Sequence, residues 1–242
     1  MTLVRGFLLT DGNFTPIAYP HFHDTTIPGG INDAGQIVGT IDSGAHAFLL
    51  SEGTYTTIDH PEASYVTRAQ GINDAGQIVG DYFFDFDDRR GFLLSEGTFT
   101  TIDHPEATYL TSAQGINDAG QIVGYFNQHG FLLTDGNFTT IDHPDGSPTI
   151  LSDINDAGQI VGWSSLGGFL LSDGTFTTIN IPGSGFLLYP RGINDAGQIV
   201  GHFNDRGLEY GFVATPVVPE PGTLIMLSTG LVGLLWRRSR RA

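Results

Sequence analysis

The chain has 242 residues, among them 34 Gly, 12 Pro and 17 Phe, and no Cys. The missing Cys excludes disulfides and thiol catalysis, and the Gly and Pro content argues against a helical bundle, because both residues interrupt helices. The formal charge is −16, and it is unevenly held: residues 1–218 carry six Arg, no Lys and twenty-five Asp and Glu, a balance that repels phosphate backbones and speaks against nucleic acid as a partner.

The opening residues, MTLVRGFLLTDGNF, reach polar turn residues at Thr10 and Asp11. They lack the basic start, longer apolar run and small-residue cleavage site of a secretory signal, so no N-terminal export signal is visible and a true start upstream of Met1 is one expectation. Two short apolar segments then flank the turn Asp11-Gly12 in GFLLTDGNFTPI.

From there the chain repeats itself. INDAGQIVG begins at Ile31, Ile72, Ile116, Ile154 and Ile193. A GFLL-like block places its aromatic at Phe7, Phe48, Phe92, Phe131, Phe169 and Phe212, and an FTTI-like block gives Ile17, Ile58, Ile102, Ile141 and Ile179. Each unit therefore reads as four short strands: QGIN and QIVG around the turn Asp74-Ala75-Gly76, then GFLL and TFTTI around Ser95-Glu96-Gly97. For these closures the expected geometry is a type I turn followed by a Gly bulge. Four strands in roughly 40 residues is the size of a β-propeller blade. The expected fold is an all-β, β-propeller-like domain of five four-stranded blades, closed by the N- and C-terminal strands completing one blade together. The six GFLL-like segments conflict with that closure, and an open β-repeat array or solenoid is the alternative.

Within the repeats, three features bear on chemistry. The Asn-Asp pairs of INDAG, such as Asn73-Asp74 and Asn117-Asp118, offer one carboxylate per turn, too few for a calcium loop, and read as turn-fixing Asx residues. The DHP triplets at Asp59-His60-Pro61, Asp103-His104-Pro105 and Asp142-His143-Pro144 read as strand-ending turns, since three His on separate blades of a wide ring would have to meet at one ion to bind a metal. The insert DYFFDFDDRRG departs most from its sibling units, and Asp81, Asp85, Asp87 and Asp88 are carried forward as a candidate cation or glycan site, against the plainer reading of a solvated loop. No nucleophile motif, phosphate loop or HExxH is present, and near-identical units argue against catalysis. No catalytic residue, metal or cofactor is expected.

The GINDAGQIVG blocks and His46-Ala47-Phe48-Leu49-Leu50 resemble the extracellular HAF-family repeats over about residues 3–215. That resemblance implies an exported repeat protein without a defined activity.

After residue 215 the composition changes. A Pro-rich linker at 216–221 is followed by a tail at 222–242, made of an apolar run from Gly222 to Trp236 and a basic end, Arg237, Arg238, Arg240 and Arg241. Fifteen helical residues reach about 22 Å against a hydrocarbon core of about 30 Å, so the run predicts a short, weakly held hydrophobic helix with a basic stop. Val218-Pro219-Glu220-Pro221, the apolar run and the Arg cluster together resemble a PEP-CTERM sorting domain. That resemblance implies recognition by an exosortase-type membrane protease in a Gram-negative bacterium, with membrane anchoring followed by release or transfer to the cell surface. The combined expectation is a monomeric, non-catalytic surface or matrix protein that binds exopolysaccharide or cell envelope; a glycan hydrolase or lyase on the same scaffold, or a fragment of a longer repeat protein, are the alternatives.

Overall fold

The computed structural model describes residues 6–20, 25–41, 45–181 and 185–216, and in them the regular structure is all β. A hairpin of β1 (Gly6–Thr10) and β2 (Asn13–Ile17) comes first. The first blade is β3 (Thr26–Ile31), β4 (Ile37–Ile41), β5 (His46–Ser51) and β6 (Thr54–Ile58). The second is β7 (Thr67–Ile72), β8 (Ile78–Asp85), β9 (Asp88–Ser95) and β10 (Thr98–Ile102). The third is β11 (Thr111–Ile116), β12 (Ile122–Phe126), β13 (His129–Thr134) and β14 (Asn137–Ile141), and the fourth is β15 (Ile150–Ile154), β16 (Ile160–Ser164), β17 (Gly167–Ser172) and β18 (Thr175–Thr178). The fifth has three strands: β19 (Leu188–Ile193), β20 (Ile199–Asp205) and β21 (Leu208–Ala214). Every sheet is an antiparallel meander in chain order, giving a five-blade propeller arrangement.

The QIVG segment explains how the blades stack. Neighbouring side chains on a strand point to opposite faces, yet Ile78 and Val79 are both buried, because a blade is covered on each side by another blade. Ile78 packs within its own unit, while Val79 reaches into the core of the third blade beside Ala113, Ile116 and Phe126. Val38, Val123 and Val161 make the same step into the blades that follow them. The Gly after each Val is required by space. A Cβ on Gly80 would collide with the Arg68 carbonyl and press on the Phe92 ring.

INDAG turns lock the stack at one end. Within each turn the Asn amide and its Gln partner bond reciprocally: Asn73 Nδ2 donates to Gln77 Oε1 at 2.9 Å, and Gln77 N donates to Asn73 Oδ1 at 2.9 Å. Between blades, Asn73 Nδ2 also donates to the Asn117 carbonyl at 3.1 Å, and Asp74 N donates to Asp118 Oδ1 at 2.8 Å. The same pair of bonds runs from the first blade to the second, the third to the fourth and the fourth to the fifth. Here the expected type I turn with a Gly bulge is present: Gly76 N bonds the Asn73 carbonyl at 3.0 Å and Gly76 has φ 74°. The GFLL hairpins differ from expectation. Their two-residue loops, such as Glu96-Gly97 and Asp135-Gly136, have positive φ at both positions, the type I′ geometry whose twist matches the flanking strands.

Among the described residues the N- and C-terminal strands do not join in a shared blade. β1 and β2 pair with each other in a separate two-stranded sheet, and β21 pairs with β20 alone. The reason lies in the surplus GFLL segment: β1 and β21 are both third-strand segments and compete for one position, while β2 is already held by β1 through a local turn, which costs far less loop entropy than a ring-closing pair. A seam is left between the fifth and first blades. There Val200 is 47% exposed and Ile31 is 54% exposed, whereas their counterparts in the inner blades are buried. The C-terminal hydrophobic helix expected from the apolar run lies outside the described residues.

Candidate functional site: the central channel

Each innermost strand carries one extra residue. Pairing along β7 and β8 runs Ala69 to Gly80 and then Gly71 to Val79, so Gln70 is left out of the ladder as a β-bulge. The same shift isolates Gly29, Gln114, Ser152 and Arg191 in the other four blades. Bulges re-aim side chains, and all five positions line one central channel with a cavity volume of about 800 Å3. Beside the invariant INDAGQIVG block, the bulge position is Gly, Gln, Gln, Ser and Arg. Function on a repetitive scaffold is carried where the copies differ, and this column is such a place.

The channel chemistry is polar and unevenly distributed. Gln114 is held from behind: its Nε2 donates to Ser112 Oγ at 2.7 Å, and Ser112 Oγ donates to Asp81 Oδ1 at 3.0 Å. Ser152 is 8% exposed and its Oγ has no hydrogen-bond partner. Asp153 takes the place that Gly71, Gly115 and Gly192 hold in sibling blades, and its Oδ2 accepts from Ile193 N at 2.9 Å. Desolvation by the channel walls pushes this carboxyl up to about 7, against the smaller opposing effect of backbone N–H groups. On the seam side, His202 Nε2 lies 3.4 Å from Glu209 Oε1 and the ring stacks on Tyr189. Burial, reinforced by Arg191, lowers the His202 pKa and favours neutral imidazole. Amides, hydroxyls, one guanidinium and a carboxyl poised near neutrality therefore share one cavity.

Asp33, Asp74, Asp118, Asp156 and Asp195 ring one mouth of this channel, and four of the five carboxylates are engaged by a backbone N–H of the preceding blade. The turn-fixing reading of the Asn-Asp pairs therefore holds for the Asn, which bonds the Gln of its own turn, whereas the Asp carboxylates act between blades. Pro216, the last described residue, packs against the Gly197 turn at the same mouth.

The remaining sequence candidates sit elsewhere. The three DHP histidines stay in separate blades: His60 stacks on Tyr82 at 3.6 Å, His104 on Phe126 at 3.6 Å, and His143 packs on Phe169 and Phe176. Their turn role is visible in the Glu62 N to His60 Nδ1 bond of 3.2 Å, and burial lowers the pKa of His60 and His104. Among the described residues no group of three His, Asp or Glu is arranged to hold a metal ion. The acidic insert divides in two. Asp81 is fully buried at the interface of the second and third blades, with Arg68 Nη1 at 3.7 Å and Arg89 Nε at 3.5 Å. Asp85, Asp87 and Asp88 are at the tip of the β8–β9 hairpin, where Asp88 Oδ2 accepts from Arg90 Nη2 at 2.7 Å. Val218 to Pro221 and the four tail Arg lie outside the described residues.

The channel column escaped the sequence reading because its members stand next to the INDAG block and look like turn residues. Stacking the five copies would have brought it forward, as a column close to the invariant INDAG block that runs through Gly, Gln, Gln, Ser and Arg.

Comparison with known proteins separates the tail from the propeller. Residues 217–241 match the PEP-CTERM protein-sorting motif, a signal that marks the chain as an exported, cell-surface-directed protein. No curated protein matches. Among solved structures, a catalytically inactive virginiamycin B lyase from Staphylococcus aureus, crystallised with quinupristin, is similar at 15% identity and TM-score 0.55, over 85% of this chain and 71% of that one. A protein described as TolB from Agrobacterium tumefaciens is similar at 15% identity and TM-score 0.62, over 78% and 76%. A protein described as a gluconolactonase is similar at 13% identity and TM-score 0.54, over 85% and 78%. At such identities the likeness is one of fold alone.

Proposed function

We propose that this chain is a non-catalytic propeller sorted to the cell surface, where it binds polysaccharide of the envelope or the surrounding matrix. The observation that carries the proposal is the convergence of the five bulge residues on one channel. Amide and hydroxyl groups that donate and accept in a partly desolvated cavity suit a ligand rich in hydroxyls. The acidic body disfavours polyanions, and the resemblance of the repeats to extracellular HAF-family repeats fits the same location. The tail is the sorting half of the reading: Val218-Pro219-Glu220-Pro221 is the segment offered to an exosortase-type membrane protease, the apolar run holds the chain at the membrane, and Arg237, Arg238, Arg240 and Arg241 keep its end on the cytoplasmic side.

The test is depletion of the full chain from solution by polysaccharide and envelope fractions, compared between wild type and the channel variants Gln114→Ala and Arg191→Ala. Loss of capture in the channel variants is expected; undiminished capture in both would move the binding away from the channel. A glycan hydrolase or lyase is favoured by one observation, a carboxyl with pKa about 7 in the same cavity as Glu209. Release of reducing ends or unsaturated sugars that disappears in Asp153→Asn would establish that second reading over the first.

A further inference from the structure

The β8–β9 hairpin runs beyond its siblings, since β8 has eight residues where β12 and β16 have five. Its extra length presents aromatic rings to solvent. Phe86 is 81% exposed, Tyr65 42% and Phe84 41%; Tyr65 lies 5.5 Å from Phe86 and 5.3 Å from Phe83 between ring centroids. The equivalent tips of the third and fourth blades carry Asn127-Gln128 and Ser165-Leu166 instead.

This group of rings is built rather than loose. Ser64 N donates to the Phe83 carbonyl at 2.8 Å and Ser64 Oγ to the Phe84 carbonyl at 2.6 Å, which fixes the segment bearing Tyr65 against the hairpin. Arg90 bonds Asp88 from Nε and Nη2 and lies over the Phe84 ring at 4.0 Å. Arg68 lies over Phe83 at 5.3 Å. The hairpin's two Arg are thereby matched by Asp88 and Asp81, while Asp85 and Asp87 stay exposed at the rim.

Exposed apolar patches rimmed by polar groups mark interaction sites, and the rim identifies the partner. Two exposed carboxylates beside the rings, Asp85 (which accepts from Phe86 N at 2.7 Å) and Asp87, repel anionic lipid headgroups and polyanions, in a body that is already strongly acidic. They accept hydrogen bonds from hydroxyl donors. Flat rings with an acceptor rim match a ligand that has a C–H face and hydroxyls around its edge, the description of a hexopyranose ring. We propose that Tyr65 and Phe86, with Phe83 beside Tyr65, form a docking platform for neutral hexopyranose residues of a polysaccharide, at the outer end of the second blade and separate from the channel. The platform deepens the polysaccharide-binding reading and rests on it.

The experiment is depletion of the full chain, in mild detergent, by insoluble cellulose and curdlan as neutral glucans and by calcium alginate as an acidic one. Capture by a neutral glucan is expected, with half-saturation raised about tenfold in Phe86→Ala and in Tyr65→Ala and moved less than twofold in Leu166→Ala, an exposed apolar residue at the corresponding tip of the fourth blade. Unchanged melting of Phe86→Ala shows that the fold is kept. Three results would overturn the platform: neither neutral glucan captures the chain, capture is indifferent to both ring variants, or Phe86→Ala abolishes self-association or vesicle flotation rather than glucan capture. If alginate or envelope fractions still capture the wild type, the general polysaccharide reading survives the platform's failure; if nothing does, both fall.

Discussion

Replacing Asn117 by Ala tests whether INDAG is a fastener between blades or a set of independent turns. Asn117 is buried and makes three side-chain bonds: Nδ2 to Gln121 Oε1 at 2.9 Å, Oδ1 from Gln121 N at 2.9 Å, and Nδ2 to the Asn155 carbonyl at 3.2 Å in the next blade. At a net of about 1 kcal/mol each, with the partly buried Gln121 N–H left unpaired while the Asn155 carbonyl keeps its bond from Gly158 N, the loss is about 3–4 kcal/mol. Asn194 is the internal control. It is exposed and, among the described residues, its side chain makes the two bonds to Gln198 and none to a neighbouring blade, so Asn194→Ala loses about 1–2 kcal/mol. The two variants are then about 2 kcal/mol apart, which for a domain of this size is about 4–8 °C in Tm. Far-UV circular dichroism during heating and urea titration reads both. Equal losses at the two positions would refute the fastener, because the turns are otherwise the same.

Gly80→Ala places a methyl against the Arg68 carbonyl and the Phe92 ring, and overpacking of this kind costs about 1–3 kcal/mol or prevents folding, read by urea midpoint. Asp81→Ala removes the acceptor shared by Ser112 and two Arg and strands the buried Arg89 Nε; a loss of about 3–5 kcal/mol is expected, together with weaker channel binding because Gln114 loses its support. Asp153 has a folded pKa above its unfolded value, so its protonated form favours the fold and stability contributed there is lost as pH rises from about 4 to about 7. Relative to Asp153→Asn, wild type should gain up to about 2–3 kcal/mol on going from pH 7.5 to pH 5. The lowered pKa of His60, His104 and His202 acts the opposite way below pH 6.5, in both proteins alike, which is why the difference and not either curve is diagnostic. A difference that is flat with pH would contradict the assignment.

Blade number and strand order were legible because they depend on period: five copies of one block, each with turn residues at the same offsets, leave little freedom in how the chain folds back. What depends on non-local competition was not. Ring closure turned on whether β1 or β21 occupies the last third-strand position, and both have the same sequence character. Turn type was misread for the GFLL hairpins because Glu96 and its counterparts are not Gly, although each precedes a Gly and adopts positive φ with it. The acidic insert was rightly singled out as a departure, yet its four Asp were grouped by proximity in sequence. The strand's alternation puts Asp81 inside, while the hairpin tip carries Asp85, Asp87 and Asp88 away from it. The rings beside those carboxylates carry the information that the charges alone did not.

Display outside the cell is the premise of every binding proposal made for this chain. The direct measurement is surface labelling of intact cells by a membrane-impermeant reagent, in a host with an exosortase-type protease, for wild type and for a chain with Pro219, Glu220 and Pro221 all changed to Ala. Wild type should be labelled and recovered in a shortened form, and the triple variant should stay membrane-bound at full length and lose surface exposure. Equal labelling and equal length in the two would contradict the account.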